Sequence, residues 1–394
     1  MELFNSLRRP LLQALSALSL LGLGLPSLAL AQGGGDIVVK KSAQLEVGLA
    51  AFAGPDGNAL AQIVQRDLQL SGLLKVVAPN AAKFQVSATS SGSSLRGLLS
   101  ESGSRPLLER SYPGSARAQA HAFANDILET LIPGAKGIAG SRVAFVATQS
   151  GAKEIYLVDI DGSNLIQLTK DRSISVSPCL SQGARRLAYT GYQSGYADVY
   201  EVDLASGSRR RIMKYPGTNS GAAYSPDGSR FAVTLSKDGN PELYVTDSSG
   251  GSPNRLTRSP GVESSPTWSP DGRELIFSSD TEGGPALYRI AASGGSPRKL
   301  STGHAYNTEP NWSPDGTKVA FNTREGGSFT IAVLHLASGA VTLYGEGTDP
   351  VWGPNSRHLV YAAGDNLVLL DTETRKKERV ASGLGKISEP SWSR

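Results

Sequence analysis

Three features of the sequence predict a mainly β protein, a six-bladed β-propeller preceded by a small α/β domain. A turn of Ser, Pro, Asp and Gly recurs through the second half, usually just behind an aromatic residue. A segment rich in β-branched and aromatic residues follows each copy, and six such segments can be counted. Residues 32–137 carry no repeat and mix helical with strand periodicities.

The chain opens with Arg8 and Arg9, an apolar run over 11–25 and the small residues Ala29-Leu30-Ala31. A charged start, a short apolar core and a small-residue cleavage site describe a secretory signal peptide over residues 1–31. A membrane-spanning helix would need roughly 20 apolar residues. The paired arginines also fit a twin-arginine export signal. Gly33-Gly34-Gly35 then reads as a flexible tether, and Asp36-Ile37-Val38-Val39-Lys40-Lys41 as a short β-prone segment. That segment suits either the edge of its own domain or a strand added to a partner.

In the first domain, residues 45–52 read as a strand and Gly54-Pro55-Asp56-Gly57 as a turn. Leu60, Ile63, Val64 and Leu68 fall at intervals of three and four, which predicts an amphipathic helix over 59–71, ended by Gly72. Residues 74–77, 84–86 and 107–112 read as strands, the last two split by a Ser/Gly stretch near Ser87 to Ser104. Phe123, Ile127 and Leu131 set a second helix over 116–131. Pro133-Gly134 and the glycines Gly137 and Gly140 mark a linker, so the propeller is taken as 138–394.

The repeat has clean copies at Tyr224-Ser225-Pro226-Asp227-Gly228, Trp268-Ser269-Pro270-Asp271-Gly272 and Trp312-Ser313-Pro314-Asp315-Gly316. Its aromatic position falls at residues 180, 224, 268, 312, 352 and 392, in steps of 44, 44, 44, 40 and 40. Pro in the second place and Gly in the fourth suit a type I turn. The strand behind each turn starts at Val143, Leu187, Phe231, Leu275, Val319 and Leu359. The first of these lacks its own leading strand, and Glu389-Pro390-Ser391-Trp392-Ser393 is such a strand with no blade behind it. Six blades, closed by the C-terminus completing the first sheet, follow from that count. Recurrence at one position assigns the Trp residues to packing between blades, and the turn Asp residues to local capping.

After removal of residues 1–31, 37 basic stand against 34 acidic residues. So small and scattered a surplus does not describe a nucleic-acid binder, and Arg375-Lys376-Lys377 reads as a solvated turn. A single cysteine, Cys179, excludes an intramolecular disulfide and reads as a packed thiol within a strand. The four histidines, His121, His304, His335 and His358, show no local metal-binding spacing. No nucleophile elbow, Walker loop or dinucleotide fingerprint occurs, so no cofactor and no catalytic residue is assigned. One constellation remains. Asn219, Glu263, Glu309, Asp349 and Glu389 precede the aromatic strand at matching or neighbouring positions, and the fourth repeat adds His304, Tyr306 and Asn307. On one face, the four carboxylates would ring a mouth of the axial tunnel and attract cationic side chains or a divalent ion.

The combination resembles the TolB family, the periplasmic β-propeller proteins of the bacterial Tol-Pal system. In the propeller the likeness rests on the Trp-Ser-Pro-Asp-Gly turns and on Thr308-Glu309-Pro310-Asn311-Trp312. In the first domain it rests on Ile63-Val64-Gln65-Arg66-Asp67-Leu68 with Ser71-Gly72, and on the stretch from Ala120-His121 to Leu131. Gly140-Ser141-Arg142-Val143-Ala144-Phe145 extends it into the propeller. The resemblance implies a non-enzymatic periplasmic adaptor that supports outer-membrane integrity, division and bacteriocin import. Such a protein would be a monomer, peripheral to the outer membrane through the lipoprotein Pal. Carried over by position, Asn219, Glu263, His304, Asn307, Glu309, Asp349 and Glu389 would face Pal. The segment Asp36, Ile37, Val38, Val39, Lys40 and Lys41 would engage TolA. The Ser/Gly stretch of the first domain and the triple glycine depart from the family pattern. Two other readings compete: an exported lactonase or polysaccharide lyase with a tunnel metal held by the carboxylates and His304, and a sensor or glycan-binding module.

Overall fold

The computed structural model describes residues 44–101 and 105–393. The expected signal peptide, the glycine tether and the segment Asp36-Ile37-Val38-Val39-Lys40-Lys41 lie outside the described residues. The first elements form one α/β layer pair. Strand β1 (Leu45–Leu49) is followed by helix α1 (Gly57–Leu70) and by β2 (Leu74–Val77), β3 (Phe84–Ser90), β4 (Ser94–Glu101) and β5 (Pro106–Pro113). Helix α2 (Ala116–Leu131) closes the series. The sheet order is β2-β1-β3-β4-β5; β1 is parallel to both neighbours and β4 and β5 continue antiparallel. Leu60, Val64 and Leu68 of α1 and Phe123, Ile127 and Leu131 of α2 share one core with Val47, Val86, Leu95 and Leu99.

The Ser/Gly stretch expected to interrupt the strands is itself strand. Val86, Ala88 and Ser90 are buried in alternation, and Leu95 and Leu99 meet that face across a hairpin. Alternating burial outweighs the low β-propensity of Ser and Gly there.

Behind this unit, six four-stranded antiparallel sheets follow one another as blades. The inner strands are Ile387–Trp392 in blade 1, then Ser175–Leu180, Asn219–Tyr224, Glu263–Trp268, Asn307–Trp312 and Thr348–Trp352. Blade 1 is the closing sheet. Trp392 stands opposite Val143 and Ile387 opposite Ala147; Ser393 N donates to Arg142 O and Arg142 N to Ser393 Oγ, both at 3.0 Å. The Trp392 indole donates to Ser141 Oγ at 2.8 Å.

The regular length of the repeat has a physical correlate at several junctions between blades. Ser225, Ser269 and Ser313 hydroxyls donate to Asp227, Asp271 and Asp315 and accept the amide five residues on, which locks each turn. These contacts with the Ser229 amide hold the Asp227 carboxyl down at about 2. The first residue of the second strand then stacks a cation on the next blade's aromatic: Arg186 on Tyr224, Arg230 on Trp268 and Lys318 on Trp352. Arg142, Arg230 and Lys318 also donate to turn carbonyls of the next blade, at Ala184, Gly272 and Ser356. Blade 4 has Glu274 at that place, and Arg289, paired with Glu274, supplies the cation over Trp312 instead. On the outer strand of blade 2, Arg209, Arg210 and Arg211 form a basic run missed in the sequence. They meet Asp171, Glu201 and Asp198 at 2.6, 2.7 and 3.0 Å. Paired charge of this kind blunts an exposed edge.

The α/β unit rests on blades 6 and 1, beside the closing strand. Leu70 and Ile138 join the apolar cluster of Val143, Val360, Leu369 and Trp392. Arg66 pairs with Glu378 of blade 6 at 2.6 Å, and Arg117 with Asp161 of blade 1 at 2.6 Å. Gly72 adopts φ +69° at the end of α1, and a Cβ there would lie 2.3 Å from Asp371 Oδ2. Only glycine lets the helix end approach blade 6 so closely. Among the described residues, no helix is long and apolar enough to cross a membrane.

Trp392→Ala removes the buried anchor of the closing sheet, and its urea unfolding midpoint should report a loss of about 3–5 kcal/mol. Leu107→Ala, on the exposed edge strand β5, should stay within about 0.5 kcal/mol of the parent.

Candidate functional site

Every inner strand has the same irregularity. The pairing register slips by an extra residue in each, and one residue of each slip takes a left-handed backbone: Ser177, Gly221, Ser265, Glu309, Asp349 and Glu389. These are bulges, and in five of the six blades they turn a side chain toward the axis; blade 3 has Gly221 there. In five of the six the next residue is proline, which cannot donate to a ladder and is tolerated at a bulge. Some bulge amides find side chains of the preceding blade: Gly221 N donates to Thr190 Oγ1 at 3.1 Å, and Asp349 N to Asn322 Oδ1 at 2.9 Å.

The bulges line an axial cavity of about 560 Å³. Its acid comes from three consecutive blades, as Glu309, Asp349 and Glu389. Two of them are linked directly. Glu389 N donates to Asp349 Oδ2 at 3.0 Å, and Ser177 N donates to Glu389 Oε2 at 2.7 Å. Lys153 Nζ stands 3.9 Å from Glu389 Oε1. Cys179 also borders the cavity and is half-buried, so it lies at the tunnel wall rather than wholly inside a blade. At the turn end of the tunnel the linker contributes Lys136, beside Pro314 and Pro354. The opposite end, formed by the starts of the inner strands and the loops joining second to third strands, faces away from the linker.

The expected ring of four carboxylates therefore becomes three. Glu263 does not sit at a bulge; it stands two residues earlier and is buried, as are Asn219 and Asn307 at the same place in their blades. These side chains staple the preceding loops. Asn219 accepts from Tyr215 N at 2.9 Å and donates to Tyr215 O at 2.8 Å, and Asn307 donates to His304 O at 2.9 Å. His304 is turned to Glu325 at 2.7 Å, away from the tunnel acids. The metal constellation of carboxylates with His304 is not assembled. Among the described residues no group of three or more His, Cys, Asp or Glu is placed to hold a metal ion.

Glu309 can be touched by water inside the tunnel, yet protein walls surround it. Those walls govern its proton affinity more than its accessible area does. Burial, then the Asp349 charge, pushes its carboxyl up to about 7 against the Ser265 contact, with Glu389 adding to the rise. Burial and Asp349 likewise raise Glu389, opposed by the Ser177 amide and Lys153. The folded protein holds the Glu309 proton more tightly than the unfolded chain, whose group has the ordinary value of 4.5. Its stabilising contribution is therefore complete below that value and is lost as pH rises through about 7. Glu309→Gln should melt above the parent at about pH 8, and the gap should close as pH falls toward 4.5.

Comparisons with known proteins agree with this architecture. Residues 129–394 match the family model described as TolB beta propeller domain. The "Protein TolB homolog" of Chlorobium luteolum is 42% identical over 87 residues, 21% of this chain and 20% of that protein. The "Tol-Pal system protein TolB" of Geobacter sulfurreducens is 33% identical over 167 residues, 34% of this chain and 38% of that protein. The matched segments thus span well under two thirds of these relatives. A crystal structure of TolB from Acinetobacter baumannii superposes with a TM-score of 0.79 at 25% identity, covering 89% of this chain and 97% of that one. The propeller match alone takes in more than half of the residues, and the chain belongs to the TolB family of the Tol-Pal system.

Proposed function

We propose that this chain is a periplasmic adaptor without catalytic activity of its own, a monomer that links two partners of the Tol-Pal system. Residues 1–31 direct export, 32–137 form the α/β domain and 138–394 the propeller. The propeller binds the lipoprotein Pal, and through it the outer membrane. The segment Asp36-Ile37-Val38-Val39-Lys40-Lys41 adds a strand to TolA. The assembly then serves outer-membrane integrity, cell division and bacteriocin import.

The observation that carries this reading is the acidic tunnel together with the face opposite the linker. Three acids line the tunnel, whose described lining runs from the bulges to the turns beside Lys136, and the loops of the opposite face expose Ile174, Tyr192, Tyr196 and Val262, with Tyr196 73% accessible. An acidic tunnel beneath a face with exposed apolar side chains suits a protein partner that presents a basic group. Glu309, Asp349 and Glu389 would touch that group. Asn219, Glu263 and Asn307 would hold the loops in place, and His304 would contribute at the rim through its pair with Glu325.

Immobilised protein should capture Pal, and Glu309→Lys, which reverses the charge in the tunnel, should weaken capture at least about tenfold. Undiminished capture by that variant would remove the tunnel from the Pal site. Deleting residues 36–41 should abolish TolA binding and leave Pal capture unchanged; retained TolA binding would overturn the N-terminal assignment.

A further inference from the structure

Glu263 is anomalous among its equivalents. The place it occupies at the start of an inner strand is filled in blades 2, 3 and 5 by the neutral side chains Ser175, Asn219 and Asn307. Across the junction, the third strand of blade 3 (Glu242–Asp247) begins with a second acid. Glu242 and Glu263 are 0% and 2% exposed, and their side chains lie within hydrogen-bonding reach of each other.

Each carboxyl has one oxygen fully engaged. Glu242 Oε1 accepts from Arg255 at 2.7 Å and from the Ser259 amide at 2.9 Å. Glu263 Oε1 accepts from the hydroxyls of Ser259 at 2.7 Å and Ser279 at 2.8 Å. The remaining oxygens, Glu242 Oε2 and Glu263 Oε2, are buried and meet no donor. Two ionised carboxylates cannot satisfy one another, because both only accept. One proton between them satisfies both and halves the buried charge.

We propose that Glu242 and Glu263 hold a single shared proton, and that this carboxylic acid–carboxylate pair clamps the loop 256–262 on the face away from the linker. Ser259 is the tie, since its amide binds one acid and its hydroxyl the other. The rest of the loop hangs on it: Gly261 N donates to Ser259 Oγ at 3.1 Å, and Asn240 holds the carbonyls of Ser259 and Gly261. The charges are distributed consistently with one proton. Burial first, and the neighbouring Glu242, raise Glu263 to about 7, against the two serine hydroxyls. Glu242 is lowered because Thr257, the Ser259 amide and Arg255 outweigh its own burial. The other titratable groups around the pair are Tyr244 and Asp238 beside Glu242, and Tyr288 beside Glu263. On the loop itself, Asp280 Oδ1 receives the Val262 amide at 2.7 Å. Loss of the proton leaves two buried charges in contact and loosens the loop. That this also loosens the partner's rim rests on the function proposed above; the proton itself does not.

The test is carbon-13 NMR of the glutamate carboxyls in the full chain carrying Glu309→Gln, which removes an overlapping titration. One carboxyl should titrate near 7 and vanish when Glu263→Gln is added. Amide protection at Ser259, Gly261 and Val262, normalised to intrinsic exchange, should fall about tenfold between about pH 6 and pH 8.5. In Glu263→Gln, whose amide donates permanently, it should stay level. All carboxyls titrating in the ordinary range near about 4.3, or equal loss of protection in both proteins, would overturn the proposal. Should Glu263→Gln not fold, Glu242→Gln serves: removing the like charge must lower the Glu263 midpoint, and an unmoved midpoint overturns the shared proton. A Pal-binding failure with the titration intact would count against the partner face alone.

Discussion

The pairing of Ile387–Trp392 with Arg142–Ala147 joins residues 251 apart at the Arg142–Ser393 contact, and most of the molecule leans on that seam. It removes the two free edges that a linear array of blades would leave. It also builds the platform for the small domain, whose Leu70 enters the cluster containing Trp392. Contacts so distant in sequence are entropically expensive to form early, so the seam and the docking of the α/β unit are natural late events in folding.

Around the ring, sequence repetition becomes mechanical repetition. Three turns are locked by their own Ser and Asp, and four junctions are fastened by a cation over an aromatic ring. The blade 4 junction shows that the interaction rather than the residue is repeated: Glu274 recruits Arg289, and Trp312 still receives its cation. The same economy appears in the bulges. An extra residue per inner strand costs ladder hydrogen bonds, and side chains of the preceding blade such as Thr190 and Asn322 recover some of them. The slip that forms the tunnel lining therefore also ties blade to blade.

Much of this was legible beforehand. The steps of 44 and 40 residues gave blade number, closure and the packing role of the Trp residues, because a periodic pattern reports a periodic core. The α/β helices were legible from their apolar spacing; the hairpin between Phe84 and Glu101 was not, since Ser and Gly carry little strand signal of their own. The tunnel was half legible. Glu263 and Glu309 look alike in a list of acids near an aromatic strand, yet only Glu309 precedes a proline. That proline marks the bulge, and reading it would have separated the side chains facing the axis from those buried beneath the loops. The proximity of Glu242 to Glu263 had no sequence signal, because it arises between blades.

Glu389 belongs to the strand that closes the ring. Until Ile387–Trp392 has paired with Arg142–Ala147, the channel lacks one of its three negative groups, and Ser177 lacks the acceptor for its amide. Joining of the ring and completion of the channel's charge are thus a single event, and a molecule whose seam has opened has also lost part of its negative lining.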